Sequence, residues 1–286
     1  MIKILIDSAS DIDLKEAEEK GIYLLPIEVS FGEDTYLDGV NLNHNEFFEK
    51  LIENDELPKT SQINPYRFEE EFEKLTADGS SVICITLSSK LSSTYNNAVT
   101  AAKKFKNKVF VVDSLNACIG ERILCDLAIR LVEEGKLSAS EIKEKLDQKK
   151  ETIELLAVVG TLKYLKKGGR ISSVVAFTGE MLSIKPVVSI VNGQVKMVGK
   201  ARGSKKGNNL LVEKIEACGG IDFNYPYVTG YSGLSDDFLK KYLEDSAALW
   251  QHNTDSVPIY QIGSTIGTHV GPGAIAVAFF SKRVKK

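Results

Sequence analysis

The sequence predicts an α/β protein with a parallel-sheet region followed by a mixed-sheet region. In the first half, short β-branched segments alternate with longer amphipathic segments, which is typical of parallel strands joined by crossover helices. In the second half, Asn192-Gly193 separates two strand-like segments and indicates an antiparallel hairpin. The length of 286 residues is sufficient for two domains.

The elements of the first half follow from the spacing of the apolar residues. Runs of β-branched residues predict strands, and apolar residues at helical spacing predict helices. The predicted strands are 2–6, 22–31, 82–87 and 109–113, and the predicted helices are 66–75, 94–105 and 122–134. The charged segment 133–151 predicts a further surface helix that restarts at Ser138, because Glu141 lies three residues later, as in a capping box.

The predicted domain boundary lies at the end of this charged helix. It divides the chain into an N-terminal α/β domain, 1–152, and a C-terminal mixed α/β domain, 153–286. In the second domain, segments 185–191 and 194–198 flank the hairpin turn. The remaining predicted strands are 227–231, 258–262 and 274–280, and the predicted helices are 208–218 and 236–249.

Composition and charge exclude several function classes. Lysine and arginine number 36 and the acids 39, so the formal charge is −3 and no overall positive field favours nucleic acid. The cysteines lack the C-x-x-C spacing of a zinc or redox site and are interpreted as buried thiols in a reducing cytoplasm; they are Cys84, Cys118, Cys125 and Cys218. No apolar segment has the length of a signal peptide or a membrane span. We therefore expect a cytoplasmic protein without a cofactor, a metal, nucleic-acid binding or integral membrane association.

Three polar clusters of the first half lie where strands end or helices begin. The segment 7–11, Asp-Ser-Ala-Ser-Asp, follows the first strand, where open α/β sheets bind ligands, but it equally fits a capped helix start. Thr60-Ser61-Gln62 precedes a helix whose N–H groups would face an anion, although alone it fits a loop and cap. The segment 88–98 contains more hydroxyl groups than a cap requires, and a carboxylate there would gain charge-assisted hydrogen bonds.

Three further clusters lie in the second half. Gly168-Gly169 ends a predicted helix, and the following Arg170 is either a surface charge or an anion contact. The segment 200–207 places four cations in a predicted turn before a helix, which fits a solvated cap or a docking site for an acidic partner. The segment 263–274 surrounds His269 with four glycines, which indicates close backbone approach or an irregular loop. His44 and His252 are interpreted as structural or solvated.

Four motifs together resemble the DegV family. They are Thr60-Ser61-Gln62, Ser88-Ser89-Lys90-Leu91-Ser92, Gly168-Gly169-Arg170-Ile171 and the segment 266–273, Ile-Gly-Thr-His-Val-Gly-Pro-Gly. Their order, together with Asp7-Ser8 and Lys185-Pro186, extends the resemblance over nearly the whole chain. The resemblance implies a two-domain α/β fatty-acid-binding protein similar to the FakB subunit of bacterial fatty acid kinase, with the acyl chain in a tunnel between the domains.

The resemblance also implies roles for individual residues. The ligand-binding residues are expected to be Thr60, Ser61, Ser92, Ser93, Arg170, Thr268 and His269, and the kinase-docking residue Arg202. The partner would be a FakA-like catalytic subunit of fatty acid kinase, which would convert a long-chain fatty acid to acyl phosphate. The chain itself lacks a G-x-x-x-x-G-K-[ST] loop. Two positions depart from the family pattern, because Ser93 stands where glycine is common and Ala9 where a hydroxyl is common.

Two other functions remain open at this stage. A serine-dependent acyl hydrolase or transferase would use Ser92 or Ser61 as the nucleophile and His269 as the base. The sequence lacks the G-x-S-x-G elbow of one large class of such enzymes. A structural or regulatory α/β protein would use the same serines only as helix caps.

Overall fold

The computed structural model of this chain describes residues 1–54, 56–171 and 184–283. The strands of this part of the chain are β1 (Ile2–Asp7), β2 (Tyr23–Leu25), β3 (Glu28–Phe31), β4 (Asp34–Leu37), β5 (Lys59–Thr60), β6 (Ser81–Thr86), β7 (Val109–Asp113), β8 (Ile153–Val158), β9 (Ile184–Val191), β10 (Gln194–Arg202), β11 (Tyr227–Tyr231), β12 (Ile259–Gln261) and β13 (Ile275–Phe280). The α-helices are α1 (Leu14–Glu19), α2 (His44–Glu53), α3 (Pro65–Thr76), α4 (Thr94–Ala102), α5 (Cys118–Glu133), α6 (Ala139–Lys149), α7 (Lys163–Lys167), α8 (Ser204–Ala217), α9 (Asp237–Asp245) and α10 (Ser264–Val270).

The first half forms the predicted parallel sheet. Its strand order is β2-β1-β6-β7, and every neighbouring pair is parallel. Val82, Ile83, Cys84 and Ile85 of β6 are fully buried, as expected for a central strand covered on both faces. The parallel-sheet prediction is therefore confirmed for this region.

The second half forms a mixed sheet in the order β10-β9-β8-β13-β11-β12. All neighbours are antiparallel except β11 and β12, which are parallel. The predicted hairpin joins β9 to β10, and Asn192 and Gly193 have φ angles of 52° and 78°. Both central residues of the turn therefore lie in the left-handed region, as a two-residue hairpin with the twist of its strands requires.

The two sheets share one hydrophobic core. Leu155 of β8, Ile190 of β9 and Ala276 of β13 belong to the same buried cluster as Leu5 of β1 and Ile83 of β6. The six-stranded sheet begins at Ile153. The division into domains at 152 and 153 stays a prediction, because the shared core joins the two parts.

Several predicted elements were wrong in their boundaries or type. The predicted strand 22–31 is divided between β2 of the parallel sheet and β3 of a separate antiparallel sheet with the order β4-β3-β5. Pro26, which lies between them, has no N–H to donate to a sheet. The predicted turn at 200–207 is the end of β10 and the start of α8, with Gly203 alone between them at φ 80°. Of the two alternatives left open for the glycine-rich segment around His269, the irregular loop is excluded, because Ser264–Val270 form α10.

The local capping signal at Ser138 was read correctly. Ser138 accepts a hydrogen bond from the backbone N–H of Glu141, and the Glu141 carboxylate accepts one from the Ser138 backbone.

Of the cysteines, Cys84, Cys118 and Cys125 are buried as predicted, but Cys218 is only half-buried.

Candidate functional site

A cavity of about 500 Å³ lies where the carboxyl ends of the parallel strands meet one face of the six-stranded sheet. Ile27, Leu87 and Ala117 line it from the loops that follow β2, β6 and β7. This edge of a parallel sheet is the usual position of ligands in open α/β folds. The fold therefore forms the cavity at the place where the sequence positions its hydroxyl-rich loops.

The wall formed by the six-stranded sheet is apolar except for Ser189 of β9. Leu155, Ala157 and Val159 line the cavity from β8 and its end, because alternate residues of a strand point to the same face. Ala276 of β13 and Ala274, which directly precedes that strand, also line the cavity and are two residues apart. At about 3.3 Å per residue, the four steps along β8 cover about 13 Å. Because the alanine side chains are small, they leave space in the cavity along this length of β8.

The two ends of this wall have different neighbours. At the Leu155 end, the Leu155 Cβ lies 3.3 Å from the position that a Cβ on Gly120 would occupy, and Cys118 also lines the cavity. At the Val159 end, Val159 packs in one cluster with Leu165. The first end is therefore closed by the start of α5, and the second lies beside the α7 segment that precedes Arg170.

The polar end is built around His269, the penultimate residue of α10. His269 Nε2 and Thr60 Oγ1 form a hydrogen bond of 3.0 Å, so β5 and α10 meet here. Burial and the charge of Arg170 lower the pKa of His269 to about 4, so the ring is neutral at neutral pH. The ring Nδ1 is buried without a hydrogen-bond partner among the described residues, and a Cβ on Gly168 would lie 2.2 Å from it.

Arg170 closes the same end from the segment after α7. Its Nε donates to the Leu91 carbonyl oxygen at 3.3 Å, and its Nη1 donates to the Gly168 carbonyl oxygen at 2.6 Å. The first bond joins the guanidinium group to the hydroxyl-rich loop after β6, and the second joins it to its own segment. A fixed cation therefore lines the cavity beside a neutral imidazole.

The loop after β6 supplies the remaining hydroxyl groups. Ser92 Oγ lies 2.9 Å from Thr94 Oγ1 and accepts a hydrogen bond from the Thr94 backbone N–H at 3.2 Å. Ser92 thus acts partly as a cap at the start of α4 and also lines the cavity. Ser93 and Ser61 line the cavity as exposed residues, so they mark its opening to solvent. Hydroxyl donors, an arginine and a histidine together suit an anionic group.

Two residues singled out from the sequence, one for ligand binding and one for docking a partner, lie outside the cavity. Thr268 is buried, does not line the cavity, and donates its hydroxyl hydrogen to the Ser264 carbonyl oxygen at 2.9 Å. The expectation that it contacts the ligand is therefore corrected, because α10 turns position 268 away from the face that carries His269. Arg202 is exposed at the end of β10 and does not line the cavity, which is compatible with the docking role expected for it.

Sequence reasoning missed Thr265 and Cys118 as lining residues. Thr265 lies one helical turn before His269, and residues four apart share a face of a helix. A helical interpretation of 264–270 would have indicated it. Cys118 was interpreted only as a buried thiol. Of the two departures from the family pattern, Ser93 lines the cavity, whereas Ala9 is buried and does not line it.

The described residues give no indication of a metal site or a membrane span. Among residues 1–54, 56–171 and 184–283, no group of three or more histidine, cysteine or acidic side chains is arranged to hold a metal ion. None of the helices in the same ranges is long and apolar enough to cross a membrane.

Residues 1–282 match the family described as "Uncharacterised protein, DegV family". This chain belongs to the DegV family. A DegV domain-containing protein of Caldanaerobacter subterraneus subsp. tengcongensis is 33% identical over 284 residues, which is 98% of this chain and 99% of that protein. The family resemblance inferred from the four motifs is thereby confirmed.

Solved structures of DegV proteins share the fold described above. A DegV family protein from Thermus thermophilus, reported for its fatty acid binding, has a TM-score of 0.86 and 28% identity, covering 98% of this chain and 99% of that one. A protein from Eubacterium ventriosum described as binding stearic acid has a TM-score of 0.85 and 26% identity, covering 99% of each chain. The fold class predicted from the sequence is confirmed.

Proposed function

We propose that this DegV protein binds a long-chain fatty acid, with the carboxylate at the polar end of the cavity and the acyl chain along its apolar wall. The observation that carries the proposal is the separation of the polar and the apolar residues that line the cavity. Thr60, Ser92, Arg170 and His269 line one end, and the wall that leads away from them is formed mainly by alanine, leucine and valine. Similar DegV structures described as fatty-acid-binding support the same assignment.

The physical properties of a fatty acid match this arrangement. Each buried methylene group contributes about 0.8 kcal/mol, so a chain of roughly 16 carbons supplies on the order of 10 kcal/mol before association costs. The carboxylate loses water on entry, and hydroxyl groups and a cation are required to offset that loss. The acyl chain therefore supplies the affinity, and the polar end selects the head group.

The polar residues take different roles in this proposal. Thr60, Ser61 and Ser92 donate hydroxyl hydrogens to the carboxylate, and Ser93 contributes at the opening. Arg170 supplies the positive charge, and its two bonds to backbone carbonyl oxygens hold it in place. His269 lies beside the carboxylate and orients Thr60.

We further propose that the protein presents the bound carboxylate to an ATP-dependent fatty acid kinase, a FakA-like subunit, which forms the acyl phosphate. The exposed side chain of Arg202 and the adjacent lysines at the start of α8 would contact the kinase. In this arrangement the phosphoryl-transfer groups belong to the partner, and this chain has no covalent step of its own.

The geometry disfavours the serine hydrolase. A nucleophilic serine requires a base within hydrogen-bond reach. Ser92 Oγ is hydrogen-bonded to Thr94, and His269 Nε2 is hydrogen-bonded to Thr60, so neither forms the required pair in this structure.

Native mass spectrometry of the purified protein tests the binding proposal. We expect one fatty acid per chain, identified after denaturation, and we expect it to be absent from Ala157→Phe, which fills the cavity away from the polar end. Ala77→Phe, at the exposed position directly after α3 and outside the cavity lining, should retain the ligand. A wild-type protein that carries no fatty acid and takes up none when oleate is added would refute the proposal.

The kinase proposal has a separate test. The protein is mixed with oleate, ATP and a purified fatty acid kinase catalytic subunit, and acyl phosphate is trapped with hydroxylamine. Arg202→Glu reverses a charge and should slow product formation without changing oleate affinity. The control Lys145→Glu reverses a charge at another exposed position and should have no effect on either quantity. Equal rates for the two variants would exclude Arg202 from docking.

A further inference from the structure

The start of α10 is held by two carboxylates from the first forty residues of the chain. Asp38 follows β4, is buried, and accepts hydrogen bonds through Oδ1 from the backbone N–H and the hydroxyl of Ser264. Its Oδ2 accepts one from the Thr265 backbone N–H at 3.2 Å. Asp11 Oδ1 accepts one from the Gly263 backbone N–H at 2.9 Å.

This helix has no capping side chain of its own. Its N-cap residue is Gly263, which makes no side-chain cap hydrogen bond. A helix of this length is unstable in isolation, and the N–H groups of its first turn need acceptors. The acceptors come from a segment more than 200 positions away in the sequence, so the helix is completed only by tertiary structure.

The other end of the same helix carries His269. At about 1.5 Å per residue, His269 lies about 7.5 Å along the axis from Ser264. Phe47 contacts one side of the helix at Gly267, and Tyr164 packs against Gly271 after its end. These aromatic rings restrict lateral movement, whereas the bonds to Asp38 fix where the helix begins.

We propose that Asp38 is a positioning residue for the polar end of the cavity, because it fixes the start of α10 and thereby holds the His269 ring against Thr60. The ligand-binding consequence rests on the proposed function, but the effect on His269 does not. Asp38 is better suited to this role than Asp11, because both of its carboxylate oxygens accept hydrogen bonds from the helix. Asp11 Oδ2 is buried without a hydrogen-bond partner among the described residues.

The test uses delipidated protein and compares Asp38→Ala and Asp38→Asn with Ser138→Ala. Ser138 caps α6, which is remote from the cavity, so its loss provides a matched capping control. The first readout is the NMR titration of the His269 ring in the absence of ligand. We expect its pKa to move toward the ordinary value in Asp38→Ala, and less in Asp38→Asn, which retains one acceptor oxygen. Ser138→Ala should leave it unchanged.

The second readout is oleate affinity, measured well below the unfolding temperature of each variant. We expect affinity to fall about tenfold or more in Asp38→Ala, corresponding to one or two lost capping interactions. If Asp38→Ala does not fold, Asp38→Asn carries the same comparison. Lower stability in the Asp38 variants with unchanged His269 titration and unchanged affinity would overturn the proposal. A wild-type protein that fails to bind oleate would refute the proposed function, while the His269 titration would still decide the role of Asp38.

Discussion

Thr60 Oγ1 and His269 Nε2 lie 3.0 Å apart although 209 positions separate them in the sequence. The bond joins β5 of the small antiparallel sheet to α10, and both residues line the cavity. It brings a hydroxyl group and a neutral imidazole to the same end of an otherwise largely apolar space.

Replacing Thr60 with valine should weaken oleate binding about tenfold. The substitution keeps the shape but removes the hydroxyl that donates to the carboxylate, and a buried polar group left without its partner costs about 1–3 kcal/mol. Isothermal titration calorimetry on Thr60→Val, His269→Gln and the double variant should give non-additive losses, because the two residues are in direct contact. Thr35→Val, which removes an exposed hydroxyl from β4, should bind as the wild type does. Additive losses would indicate that the two residues act independently.

Fatty acid binding should be coupled to proton uptake by His269. The pKa of this ring is about 4 in the free protein, lowered by burial and by the charge of Arg170. A carboxylate bound beside the ring favours the protonated imidazole and raises that pKa. At pH 5.5, the binding enthalpy should therefore vary with the ionisation enthalpy of the buffer.

The variant His269→Gln separates this effect from protonation of the fatty acid itself. The slope of the binding enthalpy against the ionisation enthalpy of the buffer gives the number of protons taken up on binding. We expect this number to be lower in the variant by up to one. The same proton uptake in both proteins would assign it to the ligand or to another group.

Gly168→Ala should disrupt the polar end, at a position whose φ of −74° is favourable for alanine. A Cβ at this position would lie 2.2 Å from His269 Nδ1, which is too close for any real contact, so the ring must move away. We expect loss of the Thr60 contact and at least tenfold weaker oleate binding, equivalent to about 1.4 kcal/mol. Gly207→Ala provides a control, because a Cβ in that helix would make only an ordinary contact at 3.4 Å. Wild-type affinity in Gly168→Ala would show that the ring position does not govern binding.

Stability should fall as pH rises from about 4 to about 7. Burial raises the pKa of Asp7 and of Asp11 from 3.8 to about 7, so within this range the folded protein retains protons that the unfolded chain has released. The free energy of unfolding therefore decreases with pH across this range. His269 acts in the opposite direction between about 4 and 6.5, because its pKa is lowered on folding. The two aspartates outweigh the single histidine.

Urea denaturation at several pH values checks this prediction. Asp7→Asn removes one of these titrating carboxyl groups, so the stability of the variant should depend less steeply on pH than that of the wild type. Burial also raises the pKa of Glu121, so a part of the pH dependence should remain. If the free energy of unfolding depends on pH equally steeply in the two proteins, the titration of Asp7 does not contribute to the pH dependence of stability.

The sequence determined the features that depend on local spacing. Runs of β-branched residues identified the strands of the parallel sheet, and Asn192-Gly193 identified a hairpin turn whose two residues both have positive φ. The hydroxyl-rich loop at Ser92 was located correctly after a central strand of the parallel sheet, where ligand groups collect. Thr60, predicted in a loop before a helix, lies in the short strand β5 instead.

Only the tertiary structure decided which of these residues meet. Thr268 and Thr265 are similar in sequence context, but the phase of α10 directs Thr265 to the cavity and Thr268 to the backbone of the helix. The first turn of that helix donates hydrogen bonds to the Asp38 carboxylate, which lies 226 positions away in the sequence. A glycine-rich segment with no cap of its own gives no local signal for such a helix. Contacts of this range depend on the packing of whole elements, and local periodicity does not encode them.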